Sequence, residues 1–506
     1  MSGKKGTIQF IAIEIMFITL LSKTLGFIRE LIFSYYYGTS RVADAYIFSL
    51  TIATIVFGFI GAGVITSFIP VYTTAKEKHG VDRANQFTSN LLSVFILLCI
   101  AIIIITFPNT NIIVRILAGG FDSETAALSG YLCKYSIFTI LATGIVSVFS
   151  GLLQINKKFL LPAAVGIPLN IILMISIILS KEYGYMLLGV GNLLAVYVQI
   201  VFLLPAISKI KYKFKFAPKI KDEYVKLIIS LALPIIVSAS VNQVNVLIDK
   251  SLASHIIGGV SILNYAHTII SIVTDVVIAS FITAIYPKVT KAFVLKSDFE
   301  IKSIFSETFS SLMFVLIPTT FFVFFESNDI INFFFNRGAF ANESVQMCAS
   351  VLKYYAIGIP FVGIRQLLIR FFYANKDTKT PVINASIAVA VNIILNYPLM
   401  NLIGLGGLAL STSIAAIVAD VLLWISMNKS VKLVIASNDI KDLIKVLILS
   451  IVLALLMSVL SYVVKFNIYI KLIVIFMIVL VVYLVCAYLC KVSCVKKFLK
   501  GGKDDK

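Results

Sequence analysis

Residues 8–37 read IQFIAIEIMFITLLSKTLGFIRELIFSYYY. A helix crossing the hydrocarbon core needs about 20 predominantly apolar residues, and this run exceeds that. Lys23, Arg29 and Glu30 fall inside it, at or near membrane depth. A charge there is costly unless it faces a wet or protein-lined interior. At about 100° per residue, Ser22, Lys23, Gly26, Arg29 and Glu30 share an arc of roughly 120°. One polar stripe on an apolar rod is the pattern of a helix that lines a cavity. Its net positive charge points to an anionic cargo.

Working outward, the chain of 506 residues is 59% hydrophobic and 13% charged, with a mean hydropathy of +1.01. Soluble domains carry about 25% charged residues, so the composition reads as a polytopic membrane protein. The formal net charge of +19 is explained by lysine and arginine gathered in cytoplasmic loops, and nucleic-acid binding is not expected. The six cysteines show neither CxxC nor Cys/His metal spacing, so neither a disulfide framework nor a zinc site is implied. With three histidines in all, a His-rich metal site is not expected, and no catalytic residue set is assigned. The basic start MSGKKGTIQF lacks a small-residue cleavage site after the apolar run and reads as part of a retained first helix.

Apolar segments give fourteen spans, from 8–37 and 43–75 to 442–464 and 468–490. The loops after even-numbered spans carry the lysines: Lys76 and Lys78, Lys157 and Lys158, Lys209 to Lys221, Lys288 to Lys296, Lys376 and Lys379, and Lys429 to Lys441. Lys491, Lys496, Lys497 and Lys500 follow the last span. By the positive-inside rule both termini are cytoplasmic. The expected fold class is an all-α polytopic membrane protein with fourteen transmembrane helices.

The chain also repeats itself. ITSFIPVYTTA at 65–75 has an echo in ITAIYPKVTKA at 282–292, an offset of 217. INKKFLLPAAVGIPLNIIL at 155–173 has a looser echo in NKDTKTPVINASIAVAVNIIL at 375–395, with a three-residue gap. The even number of intervening spans relates the halves by an axis along the membrane normal. The expected organisation is an N-terminal six-helix lobe at 1–205, a basic linker at 206–223, a C-terminal six-helix lobe at 224–428, and two further helices with a basic tail at 429–506.

SKTLGFIRE at 22–30, VADAYIFS at 42–49, GGFDSET at 119–125, FFNRGAF at 334–340 and FYANKDTKTPV at 372–382 resemble the signature stretches of the MurJ (MviN) lipid II flippases. These belong to the multidrug/oligosaccharidyl-lipid/polysaccharide exporter superfamily. The resemblance implies two pseudo-symmetric six-helix lobes in a V, plus two C-terminal helices lining a hydrophobic groove. It implies a cargo of undecaprenyl-pyrophosphate-linked disaccharide pentapeptide, flipped from the cytoplasmic to the outer leaflet of the bacterial inner membrane by alternating access. A monomer is the expected unit. Cationic side chains suit such a headgroup, since arginine matches phosphate oxygens with its planar fork and lysine acts as a point charge.

Carried over residue by residue, the resemblance makes Arg29 a cavity arginine. Lys23 stands where the family usually has Arg, Glu30 where it usually has Asp, and Asp44 matches an acidic residue opening the second helix. Lys23, Arg29, Glu30 and Asp44 are therefore the candidate substrate-binding residues. The alternatives are neutralisation of Lys23 by Glu30 at i,i+7 and a helix-start role for Asp44. Two family features are missing. The second span reads LTIATIVFGFIGAGV at 50–64 without a charge, and the eighth has His267 and Thr268 where the family usually has Asp-Arg. These losses keep another polyprenyl-linked oligosaccharide, of O-antigen, teichoic or capsular type, open as the cargo.

Some relatives bind sodium, and the comparable oxygens here are Asp249, Asn392, Asn396 and Thr412. Hydrogen bonding between helices by the two asparagines is the competing reading. Coupling to Na+, to H+ or to the membrane potential follows as an expectation, with no other cofactor. A small-molecule exporter of the same superfamily would favour an acidic cavity. A membrane-embedded enzyme would need a carboxylate cluster on a sizeable loop, and no phosphate-binding G-x-x-x-x-G-K-[ST] stretch is present.

Overall fold

The computed structural model describes residues 2–464 and 466–495. Lys496, Lys497 and Lys500 of the basic tail lie outside the described residues. All regular structure among the described residues is helical. The chain divides into two compact units, the first comprising residues 1–261 with 337–340, the second 262–336 with 341–506.

The first unit holds α1 (Ser2–Tyr37), α2 (Arg41–Thr106), α3 (Thr110–Leu117), α4 (Ser123–Ser136), α5 (Thr139–Ile155), α6 (Leu160–Ala164), α7 (Gly166–Tyr183), α8 (Met186–Lys209) and α9 (Glu223–Ala253). The helix starts are set by oxygens that accept otherwise unpaired N–H groups. Ser40 Oγ accepts from Ala43, Asp122 Oδ1 from Thr125 at 2.8 Å, and Asp222 Oδ1 from Tyr224 at 3.0 Å. Where the polar stretch 76–85 reads as a loop, the helix instead continues, broken only at Gly80, with φ 82° and ψ 174°. A left-handed φ is easy only for glycine, so the chain reverses there without leaving the helix for long. The two halves of α2 then pack on α5 and α9 around Phe68, Tyr72, Phe87, Phe149 and Tyr224.

The end of α1 is met by the segment Arg337–Phe340, the centre of the FFNRGAF stretch. Ala339 N donates to Tyr35 O at 2.8 Å. A Cβ on Gly338 would lie 2.3 Å from Tyr35 O, and one on Gly38 would lie 2.2 Å from Ala339 O. Both glycines are required by this close backbone approach.

The second unit holds most of α10 (Gly259–Val294), then α11 (Asp298–Phe325), α12 (Ser327–Phe335), α13 (Asn342–Ile357), α14 (Ile359–Ala374), α15 (Lys379–Ile403), α16 (Leu405–Ser430), α17 (Ser437–Val463) and α18 (Ile468–Leu489). Leu453, Met457, Ile475 and Tyr483 join α17 to α18, with Phe314 and Phe322 of α11 packed against them. Lys471 pairs with Asp329 at 2.7 Å and Glu326 accepts from Ser461 at 3.0 Å, tying both C-terminal helices to the α11–α12 corner.

Among the described residues, eleven helices are long and apolar enough to cross a membrane, and α13 with α14, bent by 41°, adds a twelfth if taken as one span. The chain is a multi-pass helical membrane protein. One turn recurs after several helices. Lys157 after α5, Lys296 after α10, Lys376 after α14 and Lys491 after α18 have φ of 59°, 52°, 61° and 56°. In each the lysine N–H bonds the carbonyl three residues back, and the next N–H bonds the carbonyl five residues before it.

Candidate functional site

The polar stripe of α1 is the centre of a network within the first unit. Arg29 is partly buried, and its guanidinium donates to Glu30 Oε1 at 2.5 Å and to Asn170 Oδ1 at 3.2 Å. Asn170, on α7, is itself fixed: its Nδ2 donates to Gly166 O at 2.8 Å and to Ser22 O at 3.3 Å. An amide gripping two carbonyls presents its oxygen in one direction, and Arg29 meets that oxygen. Buried Tyr46 of α2 lies close enough to feel both Arg29 and Glu30. Lys23 sits one side of this group, exposed.

Lys250 of α9 adds a second cation. Its Nζ donates to Thr51 Oγ1 of α2 at 2.7 Å rather than to the neighbouring Asp249, and it feels the charge of Glu30. Thr51 lies in the stretch of the second span that the sequence shows to be uncharged. The ammonium reaches that place from a different helix. A lysine held in a membrane bundle by a hydroxyl is costly unless its charge has a use.

Asp44 has a different position. It is 2% exposed, and its two oxygens accept from Gly258 N at 2.7 Å and from Ser261 N at 2.8 Å. The carboxylate closes the first turn of α10, as an acidic group does at a helix N-terminus. With both oxygens accepting from backbone N–H groups, the geometry gives Asp44 a capping role.

The four candidate cation ligands fall in both units. Asp249 belongs to the first. In the second, Asn392 Nδ2 donates to Ser411 and Thr412, each at 3.2 Å, and Asn396 Nδ2 to Asn392 Oδ1 at 3.1 Å. Ser411 in turn donates to Asn396 Oδ1. Both amide oxygens are thus engaged in bonds within and between α15 and α16. No group of three or more His, Cys, Asp or Glu able to hold a metal occurs among the described residues. In the same unit Asp420 is 6% exposed with neither oxygen hydrogen-bonded, and Arg365 is the charged group whose field it feels.

Sequence reasoning passes over Asn170, and from the sequence alone Lys250 reads, beside Asp249, as half of a neutral pair at the membrane interface. Asn170 had a signal. The loose repeat aligns NIIL at 170–173 with NIIL at 392–395, so Asn170 is the counterpart of Asn392. Lys250 had none beyond being a charge inside an apolar segment.

Long apolar helices with cations held inside the bundle are the features of a polytopic transporter. Its fold is shared by an inward-facing multidrug resistance MATE family transporter of the MOP superfamily, with a TM-score of 0.69 at 14% identity over 83% of this chain and 98% of that one. At that identity the likeness is one of fold alone. A solved lipid II flippase MurJ in an inward closed conformation is nearer, with a TM-score of 0.83 and 26% identity over 94% of this chain and 98% of that chain. The profile of the family described as lipid II flippase MurJ matches residues 33–483. Similar relatives are the probable lipid II flippase MurJ of Rickettsia prowazekii (strain Madrid E), 27% identical over 80% of each chain, and the lipid II flippase MurJ of Thermosipho africanus (strain TCF52B), 27% identical over 87% of this chain and 88% of that one. The chain belongs to the lipid II flippase MurJ family.

Proposed function

We propose that this protein is a transporter, not an enzyme, that moves lipid II, an undecaprenyl-pyrophosphate-linked peptidoglycan precursor, from the cytoplasmic to the outer leaflet of a bacterial inner membrane. The observation that carries the reading is the Arg29 guanidinium, held in a fixed direction by Asn170 and Glu30 inside the apolar bundle of the first unit. A pyrophosphate crossing hydrocarbon must exchange its water shell for fixed cationic donors. Arg29 and Lys250, with Lys23 on the same face of α1, are the groups assigned to it. In this reading Glu30 keeps Arg29 oriented between transport cycles.

The proposal includes fourteen crossings, since α1 and α9 add two to the eleven long helices and the bent pair. It keeps two pseudo-symmetric lobes at 1–205 and 224–428 joined by the linker at 206–223, with both termini in the cytoplasm. It takes alternating access as the cycle and a monomer as the unit. An ion gradient, Na+ or H+, or the membrane potential drives turnover.

Complementation tests the cargo. The chain is expressed in a host depleted of its own lipid II flippase, and lipid II reaching the outer leaflet is measured. Restored export is expected. A well-expressed, correctly inserted chain that fails to restore it, yet restores export of another polyprenyl-linked oligosaccharide, would move the assignment to that cargo.

A further inference from the structure

A cleft of about 600 Å3 opens on the first unit between the two halves of α2 and α9. That is within the usual range of small-ligand pockets, about 300–1,000 Å3. Its walls are apolar throughout. Leu91, Phe95, Val225 and Ile228 form a buried back wall, whereas Leu97, Ile229 and Leu233 stand exposed along the rim. It is therefore open sideways at the depth of the apolar helices that form it.

One end of the cleft is closed by Ile220 of the basic linker. Lys219 and Lys221 flank Ile220 and are exposed, as is Lys226 on the first turns of α9. Two acidic residues adjoin them, Asp222 and the exposed Glu223, so the segment 219–226 keeps a net charge of +1, and Asp222 is turned to other partners. Asp222 is engaged by Arg83 at 2.9 Å, by Asn90 at 2.8 Å and by the start of α9. The linker is also fastened to the wall of the cleft: Ala217 N donates to Ser93 Oγ at 2.9 Å, and Tyr212 is buried with its hydroxyl 3.1 Å from Ser89 Oγ. The basic rim and the apolar slot are held in register by the fold.

We propose that this cleft binds one acyl chain of an anionic phospholipid whose headgroup is held by Lys219 and Lys221. Charge complementarity selects the occupant. Bilayer chains are as apolar as the lining, so burying a chain supplies little preference of its own. Each lysine at the surface favours an anionic lipid by about five-fold, and two give about 25-fold. The site is independent of the cargo assignment, since it lies away from Arg29 and uses none of its partners.

The purified full chain, carried into native mass spectrometry with equal phosphatidylglycerol and phosphatidylcholine, is expected to retain phosphatidylglycerol preferentially, by about ten-fold or more. K219Q/K221Q is expected to abolish that preference while total lipid retention persists. L233W, which fills the mouth from an exposed position, is expected to reduce retention of both lipids alike. Equal retention of the two lipids by the unmodified chain, or a preference untouched by K219Q/K221Q, would overturn the proposal. So would displacement of phosphatidylglycerol by equimolar undecaprenyl phosphate, which would make the cleft a cargo-tail site.

Discussion

We assign Arg29 two separable duties, pairing with Glu30 and contact with the cargo, and the pair R29A and R29A/E30Q separates them. The guanidinium and Glu30 are 2.5 Å apart with side chains 27% and 15% exposed. Breaking a fully buried pair from one side costs about 3–5 kcal/mol, and breaking an exposed pair about 0.2–1 kcal/mol. The intermediate exposure places the loss in R29A at about 1–3 kcal/mol, including the bond to Asn170. E30Q removes the stranded carboxylate charge, so R29A/E30Q is expected to regain about half of that stability, a coupling of about 1–2 kcal/mol. Transport is expected to behave otherwise. A charge-assisted bond to phosphate contributes about 1.5–3 kcal/mol, so its loss lowers translocation about ten- to 100-fold, and E30Q cannot restore it. Thermal unfolding in detergent reads the first quantity, and lipid II translocation in proteoliposomes reads the second. If R29A/E30Q translocates like the unmodified chain, Arg29 serves only to neutralise Glu30 and the cargo contact is refuted.

Lys250→Met keeps the aliphatic stem and removes the ammonium bonded to Thr51. Translocation is expected to fall about ten-fold or more, while thermal stability stays level or rises by about 1 kcal/mol, because a desolvated charge has been removed; unchanged translocation would remove Lys250 from the site. Asp44→Ala strands two buried N–H groups, Gly258 and Ser261, and is expected to cost about 3–5 kcal/mol. The loss should be visible as low yield and a lowered unfolding midpoint, with Asp44→Asn losing about half as much; a stable D44A protein that folds but does not transport would return Asp44 to the cargo site.

Much of this was legible in the chain. Apolar runs gave the helices, because they follow from the free energy of moving single residues between water and hydrocarbon. The stretch 76–85 misled for a physical reason. Polar composition signals water, not coil, and α2 stays helical through most of it, yielding only at Gly80. Asp44 was ambiguous because its partners are backbone groups 214 and 217 positions away, which no local pattern announces. The uncharged second span looked like a lost cationic site. Charge at a point in space need not come from the helix that passes it, and Lys250 of α9 brings an ammonium to Thr51.

The loose sequence repeat pairs Asn170 with Asn392, and both are buried, at 5% and 1% exposure. Asn392 donates its amide to Ser411 and Thr412, and its oxygen accepts from Asn396. Asn170 grips the backbone of α1 and α7 with its amide and offers its oxygen to a guanidinium. A guanidinium beside a buried amide adds desolvation cost that helix packing alone does not require, and the proposed anionic cargo would give that charge its use.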